Sequence, residues 1–204
     1  MKQNIKCLCG TNFQVEYEDE IDLDKTPDVL DKILNGSFMS YSCLYCNKKH
    51  KPEFRITILW KSKKTKMEVI PELDRGEFYR NKKDNIPYET IISFPEMSDR
   101  LAVIKDDLEP AVIEALKSFL LSKAAENYPD KDINAWYHCK GEDGIEFHLD
   151  GIRAAEVAVM RIPMETYDRT LDDFKKRPKN EMFASLRVRS YLSVQNMLRH
   201  DALK

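Results

Sequence analysis

This chain of 204 residues has no long hydrophobic run. Its start, MKQNIKCLCG, holds no apolar stretch of signal-peptide length. The best apolar segment, AVIEALKSFLLSKAA, is broken by Glu114, Lys117 and Lys123. Nothing approaches the ~18 uninterrupted apolar residues of a membrane span. A cytoplasmic protein without membrane association is therefore expected. An excess of one charge sign is also missing. The formal net charge is -2, too small for a global field that draws the chain to nucleic acid or a membrane surface. Internal repeats and low-complexity linkers are absent. Cysteines number five, an odd count that argues, with a reducing compartment, against a disulfide framework. What remains is 42% hydrophobic and 33% charged, enough for a real core under a heavily charged surface. That length suits one domain or two small ones.

Four of the five cysteines fall in two tight pairs. Cys7 and Cys9 are spaced C-x-C, Cys43 and Cys46 are spaced C-x2-C, and 33 residues separate Cys9 from Cys43. A C-x2-C pair on a tight turn points both sulfurs into one concavity. Such a turn needs a residue with positive φ just after the second cysteine. Gly10 and Asn47 stand at those places, and asparagine is the best non-glycine residue for that conformation. C-x-C is shorter than usual, but residues i and i+2 of an extended segment share a face, so Cys7 and Cys9 still aim at one ion. Four thiolates suit tetrahedral Zn2+ in a closed structural site, with Cys7, Cys9, Cys43 and Cys46 as ligands. An iron centre or a redox dithiol is the alternative chemistry. The ion with four thiolates carries a formal charge of -2, which Lys6, Lys48 and Lys49 beside the pairs would offset. Four protein ligands leave no open position, so the expected task is folding, not catalysis.

The remaining pattern is read along the chain. TNFQVEY alternates, with Phe13, Val15 and Tyr17 on one side, and predicts a strand leaving the first knuckle. TPDVLDKILNG carries helix signals: Thr26 as N-cap, Pro27 at the first position, Asp28 near the positive end and Gly36 after the last turn. HKPEFRITILW leads out of the second knuckle. Two knuckle-bearing hairpins of this kind make a zinc ribbon, here with a short helix inserted. From 48 to 66 there are eight basic residues and one acid, with Phe54 and Trp60 interleaved. A nucleic-acid surface built from Lys48, Lys49, Lys51, Arg55, Lys61, Lys63, Lys64 and Lys66 is one reading. A solvated strand face with both aromatics in the core is the other, and no base-reading motif accompanies the charge.

Residues 72–99 read as irregular, with ETIISF as a short strand inside, and RLAVI reads as a strand. A helix is predicted near 107–126, capped by Asp106 or Asp107, with Leu108, Val112, Ala115, Leu116, Phe119 and Leu120 as its apolar stripe. INAWYHC and IEFHLD flank the turn KGEDG as a hairpin. On the second strand Glu146, His148 and Asp150 share a face, which suits acid–base chemistry, a second metal, or merely a solvated strand face. Adjacent His138 and Cys139 are expected on opposite faces. AEVAVMRIP reads as one more strand, METYDRTLDDFKKR as a helix, and the tail RSYLSVQNMLRHDALK as a helix packing Leu192, Val194, Met197 and Leu198.

The segments KCLCGTNFQVEYEDEIDLDKTPDVLDKILNGSFMSYSCLYCNKKH and RLAVIKDDLEPAVIEALKSFL resemble the CpXC family over roughly residues 4–125. The family takes its name from two Cys-Pro-x-Cys motifs; here neither pair contains proline and the first is one residue short. The resemblance implies metal binding by Cys7, Cys9, Cys43 and Cys46 and brings no catalytic residue. The fold expected is α+β: a zinc ribbon over 1–70, a sheet backed by a long helix over 71–150, and a strand and helices over 151–204, the sheet being antiparallel. The function expected is a zinc-stabilised module that binds a protein partner. Nucleic-acid binding by the 48–66 stretch, or an enzyme using Glu146, His148 and Asp150, are the alternatives.

Overall fold

A computed structural model describes residues 1–81 and 87–202. It divides the chain into two compact units, Met1–Ser98 and Asp99–Lys204.

The first unit begins with the hairpin of β1 (Lys2–Lys6) and β2 (Asn12–Glu16), antiparallel from Lys2↔Glu16 to Lys6↔Asn12. Its loop is the first cysteine turn. β3 (Glu20–Asp22) and α1 (Pro27–Leu34) follow. Thr26 is the N-cap as expected, but its hydroxyl donates to the Asp22 carbonyl and accepts no N–H from the helix. The second cysteine turn joins β4 (Tyr41–Ser42) to β5 (Lys49–His50). β6 (Ile56–Trp60), β7 (Thr65–Ile70), α2 (Arg75–Arg80) and β8 (Glu89–Ile92) complete the unit.

The sheet after the ribbon is mixed, not antiparallel. Within this unit its order is β3-β6-β7-β8, with β3 parallel to β6, β6 antiparallel to β7, and β7 parallel to β8. Parallel neighbours need long crossovers. The α1–knuckle segment supplies one. The other is the stretch after Pro71, which holds α2 where an irregular chain was expected; part of that expectation, residues 82–86, lies outside the described residues. Ile56, Ile58, Trp60, Met67, Val69, Ile91 and Ile92 are buried, Ile91 and Ile92 on opposite faces of β8.

α3 (Phe94–Lys105) begins in this unit and continues into the second. It contains RLAVI, so the predicted strand there is corrected to helix. Met97 and Leu101, one turn apart, are both buried, and a short apolar run cannot by itself distinguish a strand from such a helix face.

In the second unit α4 (Pro110–Asn127) packs on the antiparallel sheet β11-β10-β9, formed by β9 (Asn134–Lys140), β10 (Gly144–Asp150) and β11 (Ala158–Pro163). This is the antiparallel sheet with its backing helix. Val112, Ile113, Leu116 and Leu120 meet Tyr137, Ile145, Phe147 and Leu149 in the core. Two details differ from expectation. Glu109, not Asp106 or Asp107, caps the helix, its carboxylate accepting from the Ala111 N–H, because α3 runs on to Lys105. Phe119 is 56% exposed, whereas Glu114 and Lys117 are buried.

α5 (Met164–Lys176) follows as predicted, then α6 (Glu181–Ser185), capped by Asn180. The tail is not one helix. β12 (Arg187–Val188) and β13 (Tyr191–Leu192) form a hairpin, and α7 (Gln195–Ala202) starts after it. The reason is tertiary. The Glu114 carboxylate accepts the Val194 N–H at 2.7 Å, and Arg100 donates to the Leu192 carbonyl at 2.7 Å. Buried charges thus take the backbone groups that a helix would have used. The predicted helix end at 203–204 lies outside the described residues.

Candidate metal centre

Each cysteine turn is built by its own backbone. In the first, Gly10 N–H donates to the Cys7 carbonyl and Cys7 N–H to the Thr11 carbonyl, both at 2.9 Å. In the second, Asn47 N–H donates to the Cys43 carbonyl and Cys43 N–H to the Lys48 carbonyl, again at 2.9 Å. Gly10 has φ +92° and Asn47 φ +56°, the conformations their positions required.

The two turns meet. Cys7 Sγ lies 3.5 Å from Cys46 Sγ, and Cys9 Sγ lies 3.7 Å from Cys43 Sγ. All four sulfurs are within 4.8 Å of one another. Four sulfurs at a Zn–S distance of about 2.3 Å around a tetrahedral ion sit about 3.8 Å apart, so the donor set fits one ion of that size. Cys7 and Cys43 are buried, while Cys9 and Cys46 are exposed. All five cysteines are free thiols.

The electrostatics favour a shared cation. The Thr11 hydroxyl, 3.4 Å from Cys9 Sγ, and the Thr11 backbone N–H hold the Cys9 thiol down to about 6. Cys7 receives a lowering contribution from the Cys9 backbone, but burial and the three neighbouring sulfurs outweigh it and push the thiol up to about 12. One negative charge among these sulfurs is easily held; four require a cation between them. His50 on β5 is a residue that the sequence reading passed over. Its Nε2 lies 3.2 Å from Cys7 Sγ and its ring packs on Phe13. A ring N–H there offsets thiolate charge and orients the ligand. The signal was the histidine four residues after Cys46, at the far end of the same hairpin.

The basic stretch has a different setting. Arg55 pairs with Glu68 at 3.1 Å and Asp74 at 3.2 Å, and Lys61 pairs with Asp22 at 3.2 Å. Lys63 lies over the Trp60 ring and Lys66 over the Tyr88 ring. Lys48 and Lys49 flank the second knuckle, and Lys51 and Lys64 lie in connecting loops. Phe54 and Trp60 are both buried, and Phe54 stacks on Tyr17, so neither offers a face to a base.

On β10, Glu146 and His148 are within 3.3 Å of each other. Asp150 instead accepts from Asn134 Nδ2 and Trp136 Nε1. Of the three, Glu146 lines a surface cavity of about 320 Å3 with Cys139, Asp143, Arg161 and Pro163. The Arg161 guanidinium, then the His148 ring, hold the Glu146 carboxyl below the usual carboxylate range.

Among the described residues no helix is long and apolar enough to cross a membrane. No solved structure matches the chain. An uncharacterised protein of Treponema pallidum (strain Nichols) is 28% identical over 214 residues, covering 95% of this chain and 97% of that protein. The profile of the CpXC protein family matches residues 5–117, a span that holds both cysteine turns and strands β3, β6, β7 and β8. With its four sulfurs gathered where one metal ion fits, the chain belongs to the CpXC family.

Proposed function

We propose that the four cysteines hold one structural Zn2+ and that the knuckles so fixed form a docking tip for a protein partner in the cytoplasm. The observation that carries this reading is the exposure of Leu8, Leu44 and Tyr45, at 84%, 88% and 80%. These are the residues between the paired cysteines. Large apolar side chains held out in water by a closed metal site serve no folding purpose, and their burial in a partner at ~25 cal/mol per Å2 is favourable. Rigid turns lose little entropy when they dock. A closed set of four sulfurs has no position for a substrate, so the role is binding, not catalysis.

Two measurements test it. Metal analysis of the full chain after gel filtration is expected to find one tightly held zinc; iron, or no metal, removes the first half. Leu44→Asp with Tyr45→Asp leaves every sulfur in place. That variant is expected to keep its zinc and to lose the partner that the wild-type chain captures from native extract. Unchanged capture removes the docking tip. Retention on an RNA or DNA column that falls steeply with salt would move the role to Lys48, Lys49, Lys51 and their neighbours.

A further inference from the structure

The three-stranded sheet of the second unit carries a second group of metal-binding side chains. A register shift in the β9–β10 pairing sets two residues of β9, His138 and Cys139, against Glu146. Tyr137 then pairs with Phe147, and both face the core. His138 follows the inward Tyr137, so strand alternation points it outward, on the face of Glu146 and His148, and without the extra residue Cys139 would stand opposite Ile145 and point inward. The bulge turns Cys139 outward as well, which is why His138 and Cys139 are both exposed instead of alternating as the sequence predicted. Bulges re-aim side chains in this way beside functional sites.

The outward His138 imidazole joins two ligand types on the same face. His138 Nε2 lies 3.8 Å from Glu146 Oε1, and His148 Nε2 lies 3.3 Å from the same oxygen. The two rings stack with centroids 3.9 Å apart. On β11, Arg161 stands opposite Glu146 and its Nε donates to Oε2 at 3.0 Å. That bond leaves Oε1 turned to the imidazoles and fixes the carboxylate. One oxygen and two ring nitrogens thus converge within 4.8 Å. Two N or O donors on a tetrahedral Zn2+ at about 2.05 Å sit about 3.3 Å apart. His148 and Glu146 already have that spacing, and a small turn of the half-exposed His138 ring supplies the third ligand.

We propose that His138, Glu146 and His148 form a second site, for a borderline first-row divalent cation such as Zn2+, independent of the cysteine centre. Two imidazoles and a carboxylate match that class of ion, and three protein ligands leave a coordination position open to water or to a donor from another molecule. Three protein donors hold an ion less tightly than four thiolates, so this site exchanges its ion with solvent more readily than the sulfur centre.

The test uses the untagged full chain that has kept its gel-filtration zinc, titrated with further Zn2+ by calorimetry. Wild type is expected to take one more ion per chain. His138→Gln and His148→Gln are each expected to weaken that ion by ~100-fold or more, because the loss of a ligand exceeds the 10–100-fold of losing an outer partner. Both side chains are exposed enough for glutamine, and unchanged thermal melts confirm that the variants fold. On the unmutated protein, nuclear magnetic resonance of the imidazole nitrogens is expected to show His138 and His148 shifting as the added zinc binds. A wild-type titration that takes up no further ion, variants that bind it as tightly, or imidazole signals that do not move would each overturn the proposal. Protection of the cysteines from alkylation reads the sulfur centre separately, so the two sites fail separately.

Discussion

Lys117→Met puts the buried charge network of the second unit to a quantitative test. Lys117 Nζ contacts the Asp99 carboxylate and lies 2.8 Å from Glu114 Oε1, and Arg100 stands 3.7 Å from Glu114. All four side chains are no more than 6% exposed. The outward oxygens are not idle: Asp99 Oδ1 accepts the Tyr137 N–H at 2.6 Å, and Glu114 Oε2 accepts the Val194 N–H. Two acids and two bases balance here. Methionine keeps the volume and removes one charge, leaving two buried carboxylates against Arg100 alone. Removing one partner of a buried ion pair costs about 3–5 kcal/mol. In a chain of this size that is roughly 6–20 °C of melting temperature.

The pH dependence gives the sharper check. In the wild-type chain burial raises both carboxyls. For Glu114 the charges of Lys117 and Arg100 outweigh burial and hold it below the usual range; for Asp99 burial wins and it stays above. A lowered carboxyl contributes stability that is lost as pH falls through its folded value; a raised one gains it. The two oppose each other, so the wild-type network gives a shallow acid response. In the variant Asp99 loses the lysine charge that opposed burial and Glu114 keeps only Arg100, so protonation is expected to relieve the buried charge and the penalty to shrink between pH 7 and pH 5. Urea denaturation followed by circular dichroism at both pH values measures this. A loss under ~1 kcal/mol at pH 7, or a penalty that does not shrink in acid, would refute the reasoning that uncompensated charge is what the variant buries.

Three further outcomes follow from the same physics. Cys43→Ser, or a chelator, is expected to release the metal proposed for the four sulfurs and unfold the amino-terminal ribbon, because the binding energy of ~10–16 kcal/mol in such zinc sites is folding energy; loss of amide dispersion in β1, β2, β4 and β5 by nuclear magnetic resonance checks it. Gly151 has φ +89°, and a Cβ there would collide with the Asp132 carbonyl, so Gly151→Ala is expected to cost about 2–3 kcal/mol, read as a lower urea midpoint. Glu109→Ala removes the acceptor of the Ala111 N–H at the start of α4 and is expected to cost about 1 kcal/mol in the same assay, whereas Asp106→Asn and Asp107→Asn should not change helix capping.

The cysteine turns were legible because their chemistry is local. The i and i+2 or i+3 spacing, with Gly10 and Asn47 just beyond, dictates both the concavity and the positive φ, and no distant residue can change that. The β9–β10 hairpin and α4 were legible for a similar reason, through alternation and helical spacing. RLAVI misled because a short apolar run satisfies two periods; burial of Met97 and Leu101 on one helix face settled it. The tail misled because helical spacing in 192–198 says nothing of Glu114, which captures the Val194 N–H from 80 residues away.

The sequence by itself determined that two thiol pairs with turn residues behind them would form knuckles, and that an α+β chain with a long helix would carry them. Only the tertiary structure decided which strands run parallel, where the tail stops being a helix, and that the register of β9 against β10 stacks His138 on His148. Spacing along a chain fixes which side chains are neighbours within a turn. The pairing register between strands, set by packing of the whole core, fixes which side chains are neighbours across one.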